Sequence, residues 1–177
     1  MRVIETYRLV LRAFKETDLD DFFAYAKSQK VGPMAGWKPH TNIEESKNIL
    51  KSFMDGDEIW AIEFKEDHKV IGSIGLHQDA KRSNPQARML GYVLSEDYWG
   101  SGIMLEASRA LLNYAFNECR YELVSVYHFP FNLQSKSVIE KIGFKYEGCL
   151  RQTTLRFDGV LLDSMCYSIT KDEFNAL

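Results

Sequence analysis

The chain has 177 residues, with 22 Lys plus Arg against 25 Asp plus Glu and a formal charge of −3. That length supports one sizeable core and is short for two, so a single domain over residues 1–177 is expected. The charge pattern holds no Lys/Arg block or basic tail for nucleic acid, and no apolar run approaches the length of a membrane span.

Thr6–Arg12 alternates, with Tyr7, Leu9 and Leu11 on one face, and reads as a strand. Thr17–Asp18 opens a helix carrying Leu19, Phe22, Phe23 and Ala26. Gly32–Pro33, Gly36 and Pro39 make Val31–His40 a loop that holds Met34 and Trp37. Thr41 and Glu44 have capping-box spacing: the hydroxyl covers an orphan amide and the carboxylate reaches back. The helix they start carries Ile43, Ile49, Leu50 and Phe53 and stops near Asp55–Gly56. Trp60–Phe64 and Val70–His77 form a hairpin across the charged turn Lys65–Lys69. Gly72 and Gly75 inside its second strand point to a close approach of backbone or ligand. Asp79–Gln86 is a loop, and Ala87–Leu94 is the next strand.

A helix runs from Ile103 to about Glu118 on Ile103, Leu105, Leu111, Leu112, Ala115 and Phe116. Leu123–Phe129 is a strand that Pro130 ends. Leu133–Ile142 is a short helix closed by Gly143. Phe144–Arg156, the two-residue turn Asp158–Gly159 and Val160–Thr170 make a final hairpin. Interleaved strands and helices of this kind give a mixed α/β sheet, with about seven strands and four helices on its two faces.

Between the strand Ala87–Leu94 and the helix at Ile103 stands Tyr98–Trp99–Gly100–Ser101–Gly102. Glycines let backbone approach a ligand, and the first amides of a helix have no partner of their own. Such a turn is an anion site or a bare structural turn. It contains no basic side chain, so backbone donors and the helix dipole would carry any binding. It also stands at the carboxyl end of a strand, where open α/β sheets bind ligands.

The order of elements resembles the GNAT acetyltransferase fold. Tyr98–Trp99–Gly100–Ser101–Gly102 with Glu106–Ala107 is similar to its acyl-coenzyme A motif, in the form used by the ribosomal-protein alanine N-acetyltransferase branch. Asn132 and Ser135, with Glu140–Lys141–Ile142–Gly143–Phe144, resemble that branch's second motif. Tyr7–Arg8–Leu9–Val10–Leu11–Arg12 and Gly91–Tyr92 match as well.

The resemblance implies an acetyl-CoA-dependent N-acetyltransferase that needs no metal. Backbone amides of Trp99, Gly100, Ser101, Gly102, Ile103 and Met104 would hold the coenzyme pyrophosphate. The backbone of Tyr92, Val93 and Leu94 would pair with the pantetheine arm as an added strand. One amide there, assigned to Val93, would stabilise the oxyanion. Asn132 would bond the coenzyme arm, and Ser135 would stand near the sulfur as acid or thiolate stabiliser. The acceptor would be a primary amine.

Two positions depart from the family pattern. Ile139 stands where many members carry an acidic tyrosine, and Met89 stands where an acidic residue is common. Asp97 occupies a motif position that is usually polar or basic and is expected to face solvent. With no carboxylate between Ala87 and Leu94, an amine that deprotonates easily is the better acceptor. An α-amine titrates near about 8 and a lysine near about 10.4, a gap of roughly 3 kcal/mol. A protein N-terminus is therefore preferred. A small amine (a polyamine, an amino acid or an aminoglycoside) and a non-catalytic acyl-CoA-binding module are the alternatives.

His77 is read as a strand-end residue, His40 as a loop residue and His68 as solvated. His128, close to Asn132, is a candidate for the cleft wall. Trp60 is read as core, Glu106 as a first-turn glutamate favouring the helix dipole, and Arg151 and Arg156 as exposed strand residues. Cys119, Cys149 and Cys166 have no metal spacing and read as reduced thiols, with Cys149 and Cys166 buried. Met1–Glu5 has no signal-peptide core. The expectation is a cytoplasmic monomer or homodimer.

Overall fold

The computed structural model describes residues 1–177. It contains eight strands: β1 (Ile4–Glu5), β2 (Leu9–Arg12), β3 (Ile59–Phe64), β4 (Val70–Gln78), β5 (Ala87–Leu94), β6 (Leu123–His128), β7 (Lys145–Leu155) and β8 (Leu161–Thr170). Six helices join them: α1 (Leu19–Ala26), α2 (Val31–Ala35), α3 (Ile43–Asp55), α4 (Ile103–Asn113), α5 (Leu133–Ile142) and α6 (Lys171–Asn175). The sheet order is β1-β2-β3-β4-β5-β6-β8-β7. β5 and β6 pair in parallel, while β2–β3, β3–β4, β6–β8 and β7–β8 are antiparallel, so the sheet is mixed. The elements that sequence reading missed are β1, α2 and α6.

The chain divides into two compact units, one of residues 1–75 and 92–110, the other of residues 76–91 and 111–177. In the first unit, Phe14, Phe22, Tyr25, Ala26, Val31, Leu50, Ala61 and Val70 form a buried cluster, with Leu19, Trp37, Ile49 and Phe53 packed against it. Phe22 meets Tyr25 and Phe53 edge-on at 5.3 and 5.7 Å between ring centroids, the arrangement that ring quadrupoles favour. In the second unit, Leu111, Leu112, Ala115, Phe116, Val124, Ile139, Ile142 and Ile169 are all fully buried.

Several local expectations are corrected. Thr6–Arg8 does not extend β2. The Thr6 amide donates to Leu9 O at 2.9 Å, and the Leu9 amide donates to Thr6 Oγ1 at 3.0 Å. This tight turn leaves Tyr7 93% exposed rather than on the apolar face. Val31–Ala35 is helical, not loop. Pro33 falls in the first turn, where its missing N–H costs nothing, and Gly36 ends the helix at φ 93°.

The cap of α3 stands one residue later than expected. Asn42 Oδ1 accepts the Glu45 amide at 3.0 Å, and Glu45 Oε2 accepts the Thr41 amide at 2.8 Å. The β7–β8 connection is five residues, 156–160, rather than a two-residue turn. The Arg156 amide bonds Val160 O, and the Gly159 amide bonds Arg156 O, both at 2.9 Å. Gly159 has φ 84°, so only glycine fits without strain. Cys149 is exposed on the terminal strand β7, whereas Cys166 is buried as expected.

Candidate active site

After β5, a 3₁₀ turn over Glu96–Tyr98 brings the chain to the two glycines, Gly100 at φ 76° and Gly102 at φ 78°. An L side chain is strained at such angles, so glycine is required at both. The first bond of α4 runs from the Glu106 amide to Gly102 O at 3.1 Å. No backbone acceptor serves the amides from Gly100 to Leu105. The result is a run of free donors at the positive end of a helix dipole. Gly100, Ser101 and Gly102 are exposed, while Ile103 and Met104 are buried and anchor the helix. Trp99 is half-buried and Asp97 is exposed.

The charged partner of this turn comes from the other end of the sequence. Glu106 Oε1 accepts Thr6 Oγ1 at 2.6 Å and the Arg8 amide at 2.8 Å, and Oε2 accepts Arg8 Nε at 2.7 Å. Arg8 Nη1 donates to Ser101 O at 2.9 Å, inside the glycine turn. Burial opposes ionisation of Glu106, but the bonds from Thr6 and from the amide and side chain of Arg8 outweigh it and hold the carboxyl below its ordinary value. Glu106 is thus a tether for the N-terminal segment as well as a first-turn anion. Arg8 and Glu106 belong to separate sequence motifs, and nothing in their spacing joins them.

The end of β5 is shaped by β4. A Cβ on Gly72 would overlap Val93 O, and the Ser95 amide donates to Ile71 O at 2.7 Å. Along an extended strand, the N–H and C=O of one residue point to one edge and those of the next residue to the other. Val93 therefore directs its peptide toward β4, and Tyr92 and Leu94 direct theirs to the other edge. Leu94 O already accepts the Trp99 indole N–H at 2.9 Å, which fixes that ring. The parallel ladder of β5 with β6 ends at Leu90↔Val126, and Gly91–Leu94 run on beyond it.

In the second unit, Asn132 is the N-cap of α5, its Oδ1 accepting the Ser135 amide at 3.0 Å. This places the Ser135 hydroxyl, half-buried, in the first turn of that helix. Ile139 is fully buried core, which explains an apolar residue there. His128 is buried, and its Nδ1–H donates to Phe129 O at 2.8 Å. His77 is half-buried next to Gly91.

His40 is a buried structural residue, bonded through Nδ1 to Ser46 Oγ at 2.7 Å, and burial lowers its pKa. Trp60 is buried and its indole donates to Arg2 O, as a core residue would. Arg151 is exposed on β7, whereas Arg156, just past the end of that strand, is half-buried and paired to Asp158 rather than exposed as expected.

The second unit also holds a polar cluster that no sequence motif marks. Asp79, read as loop, is 2% exposed. Its carboxylate accepts Ser125 Oγ at 2.6 Å, Tyr127 OH at 2.7 Å and the Lys81 amide at 2.9 Å. Burial raises its pKa, yet those three bonds and the charge of Arg82 bring it below the ordinary value. Burial, then the Asp79 bond, push the Tyr127 phenol up to about 12. Arg82 also pairs with Glu147. A cavity of about 290 Å³ opens here, lined by Lys81, Arg82, Tyr127, Glu147, Cys149 and Cys166 among others. No three His, Cys, Asp or Glu side chains converge as a metal-binding group.

The acetyltransferase (GNAT) domain family matches residues 8–145. The chain belongs to the GNAT acetyltransferase family. This acetyltransferase is 28% identical over 174 residues to the uncharacterized N-acetyltransferase YoaA of Bacillus subtilis, covering 96% of this chain and 97% of that one. It is 25% identical over 111 residues to the ribosomal protein uS5-alanine N-acetyltransferase of Escherichia coli K12, covering 63% and 57% of the two chains. The solved structure of the microcin C7 self-immunity acetyltransferase MccE, a complex with acetyl-CoA and AMP, superposes with a TM-score of 0.80 at 19% identity over 93% of each chain. That likeness shows the fold. The chain is accordingly an N-acetyltransferase of the GNAT family, whose members use acetyl-CoA.

Proposed function

We propose that this N-acetyltransferase binds acetyl-CoA at the Gly100–Gly102 turn and transfers the acetyl group to the α-amine of a polypeptide N-terminus. The observation that carries the reading is the run of amides from Gly100 to Leu105 with no backbone acceptor, at the start of α4 and directly after β5. A pyrophosphate fits such donors without a basic side chain in the turn. The Trp99 amide already donates to Glu96 O at 3.1 Å, so the donors run from Gly100 through Met104, with Ile103 as the helical anchor. The pantetheine arm pairs with the outward peptides of Tyr92 and Leu94, and the Leu94 amide replaces Val93 as oxyanion donor.

The free amine attacks the thioester carbonyl directly, so no covalent enzyme intermediate forms. Collapse of the tetrahedral oxyanion breaks the C–S bond. The attacking nitrogen releases a proton, and the departing thiolate gains one from Ser135 or from water relayed by it. Asn132 holds the coenzyme arm through its amide while its oxygen caps α5.

The choice of an α-amine rests on the missing base around Met89 and Ile139, and on the relative named for acetylating the alanine of ribosomal protein uS5. A small amine is the second reading, favoured by the cavity of about 290 Å³ with Glu147 on its wall.

The test is a panel of peptides with free or blocked N-termini, offered with acetyl-CoA and read by free-thiol release and product mass. Free α-amines are acetylated, and Ser135→Ala lowers kcat on them by about tenfold or more. Turnover on blocked, lysine-bearing peptides but not on free N-termini overturns the acceptor assignment. Turnover on small amines alone moves it to the second reading.

A further inference from the structure

The glycine turn has no cation of its own, yet a guanidinium lies against it. Arg8 Nη1 holds Ser101 O at 2.9 Å, and Arg8 Nη2 is the atom nearest a Cβ built on Gly102, at 3.7 Å. Glu106, in the first turn of α4, fixes the other side of the guanidinium through Nε at 2.7 Å. The fork is therefore held in one plane by two acceptors, and Nη2 makes no hydrogen bond to the protein. Lys30 is paired with Glu96 at 3.3 Å and Lys65 with Glu5 at 3.1 Å. Arg8 is only 32% exposed and Glu106 19%, so their pairing is less screened than a surface ion pair.

We infer that Arg8 is a coenzyme-binding residue: it pins the Ser101 carbonyl back so that the turn's amides face outward, and it presents Nη2 to the coenzyme's phosphate groups. This rests on the reading of the turn as the acetyl-CoA site. An Arg suits the task because its planar fork serves Glu106, Ser101 and an anion together, which a lysine ammonium cannot. The residue enters from the N-terminal segment, so it lies outside any glycine motif.

The experiment measures dissociation constants of acetyl-CoA and of acetyl-pantetheine, which has the same thioester arm without the phosphates. Wild type, Arg8→Gln and Arg8→Lys are compared. Arg8→Gln weakens acetyl-CoA by about tenfold or more, the scale of a hydrogen bond to a charged group. It leaves acetyl-pantetheine within twofold, and Arg8→Lys recovers part of the loss. Equal weakening of both thioesters, or acetyl-CoA affinity within twofold of wild type, overturns the inference about Arg8. If the wild-type protein fails to bind acetyl-CoA, the reading of the turn itself falls first.

Discussion

Gly72 shows how one missing methyl group shapes the end of β5. A Cβ there would collide with Val93 O and crowd the Leu94 Cα at 3.1 Å. Both are strand backbone and cannot swing aside as a side chain can. Gly72→Ala is expected to cost about 1–3 kcal/mol, the range for overpacking, and to lower the melting temperature. Because the displaced backbone adjoins the Leu94 peptide proposed to pair with the pantetheine arm, the KM for acetyl-CoA is expected to rise as well. Gly56→Ala is the comparison. Its Cβ would meet nothing closer than Ser52 O at 3.5 Å, so both melting temperature and KM stay near wild type.

The position of Gly72 was legible in the sequence, since a glycine inside a strand signals close approach. Its partner was not, because pairing register is a long-range property. The same holds for Arg8 with Glu106 and for Asp79 with Ser125 and Tyr127. Each pair joins residues tens of positions apart, and only the folded sheet brings them together.

At the scale of elements, Asn132 is asked to do two things at once. Its Oδ1 caps α5, while the proposed coenzyme contact uses its amide N–H groups. Asn132→Ala removes both and should cost about 1 kcal/mol of stability. Asn132→Asp keeps an oxygen for the cap, and a carboxylate also suits a helix N-terminus, so melting temperature recovers. A carboxylate cannot donate, so acetyl-CoA affinity does not recover. Recovery of both in a thermal melt and a binding titration would reduce Asn132 to a cap.

Two elements bounded by clear breakers have the bounds that the sequence implies: Ala87–Leu94, after the Asp79–Gln86 loop, and Leu133–Ile142, after Pro130 and closed by Gly143. The α3 cap slipped by one because Thr41 with Glu44 and Asn42 with Glu45 both satisfy the capping spacing. α2 was missed because Gly32–Pro33 reads as a breaker in the middle of a segment but is tolerated in a first turn. α6 was missed because Thr170 ends a strand and caps a helix at the same position.

For the whole molecule, the ionisable groups with displaced pKa values set the pH range of stability. Glu63 and Glu106 in the first unit, and Asp79 in the second, all titrate below their ordinary values. In each, burial opposes the charge and hydrogen-bonded partners overcome it: Arg12 for Glu63, Thr6 and Arg8 for Glu106, Ser125 and Tyr127 for Asp79. The folded state then holds fewer protons than the unfolded chain between the lowered and ordinary values. Their stabilisation is complete above the ordinary carboxylate values, 4.5 for glutamate and 3.8 for aspartate, and is lost as pH falls through the folded ones.

Tyr127 has the opposite sign. Its folded pKa is raised from 10.0 to about 12 by burial and by Asp79, so its contribution is present below 10.0 and lost as pH rises toward about 12. Melting temperature should therefore be flat across neutral pH and fall on both sides. The two limbs can be separated by substitution in the same network. Tyr127→Phe should flatten the alkaline fall, because no phenol is left to ionise. Asp79→Asn should flatten part of the acid fall and also lessen the alkaline one, because the phenol loses the carboxylate that raises it. Thermal melts from acid to alkaline pH on the three proteins measure this. An alkaline limb unchanged in Tyr127→Phe would place its origin in another buried phenol, such as Tyr25, whose pKa burial also raises.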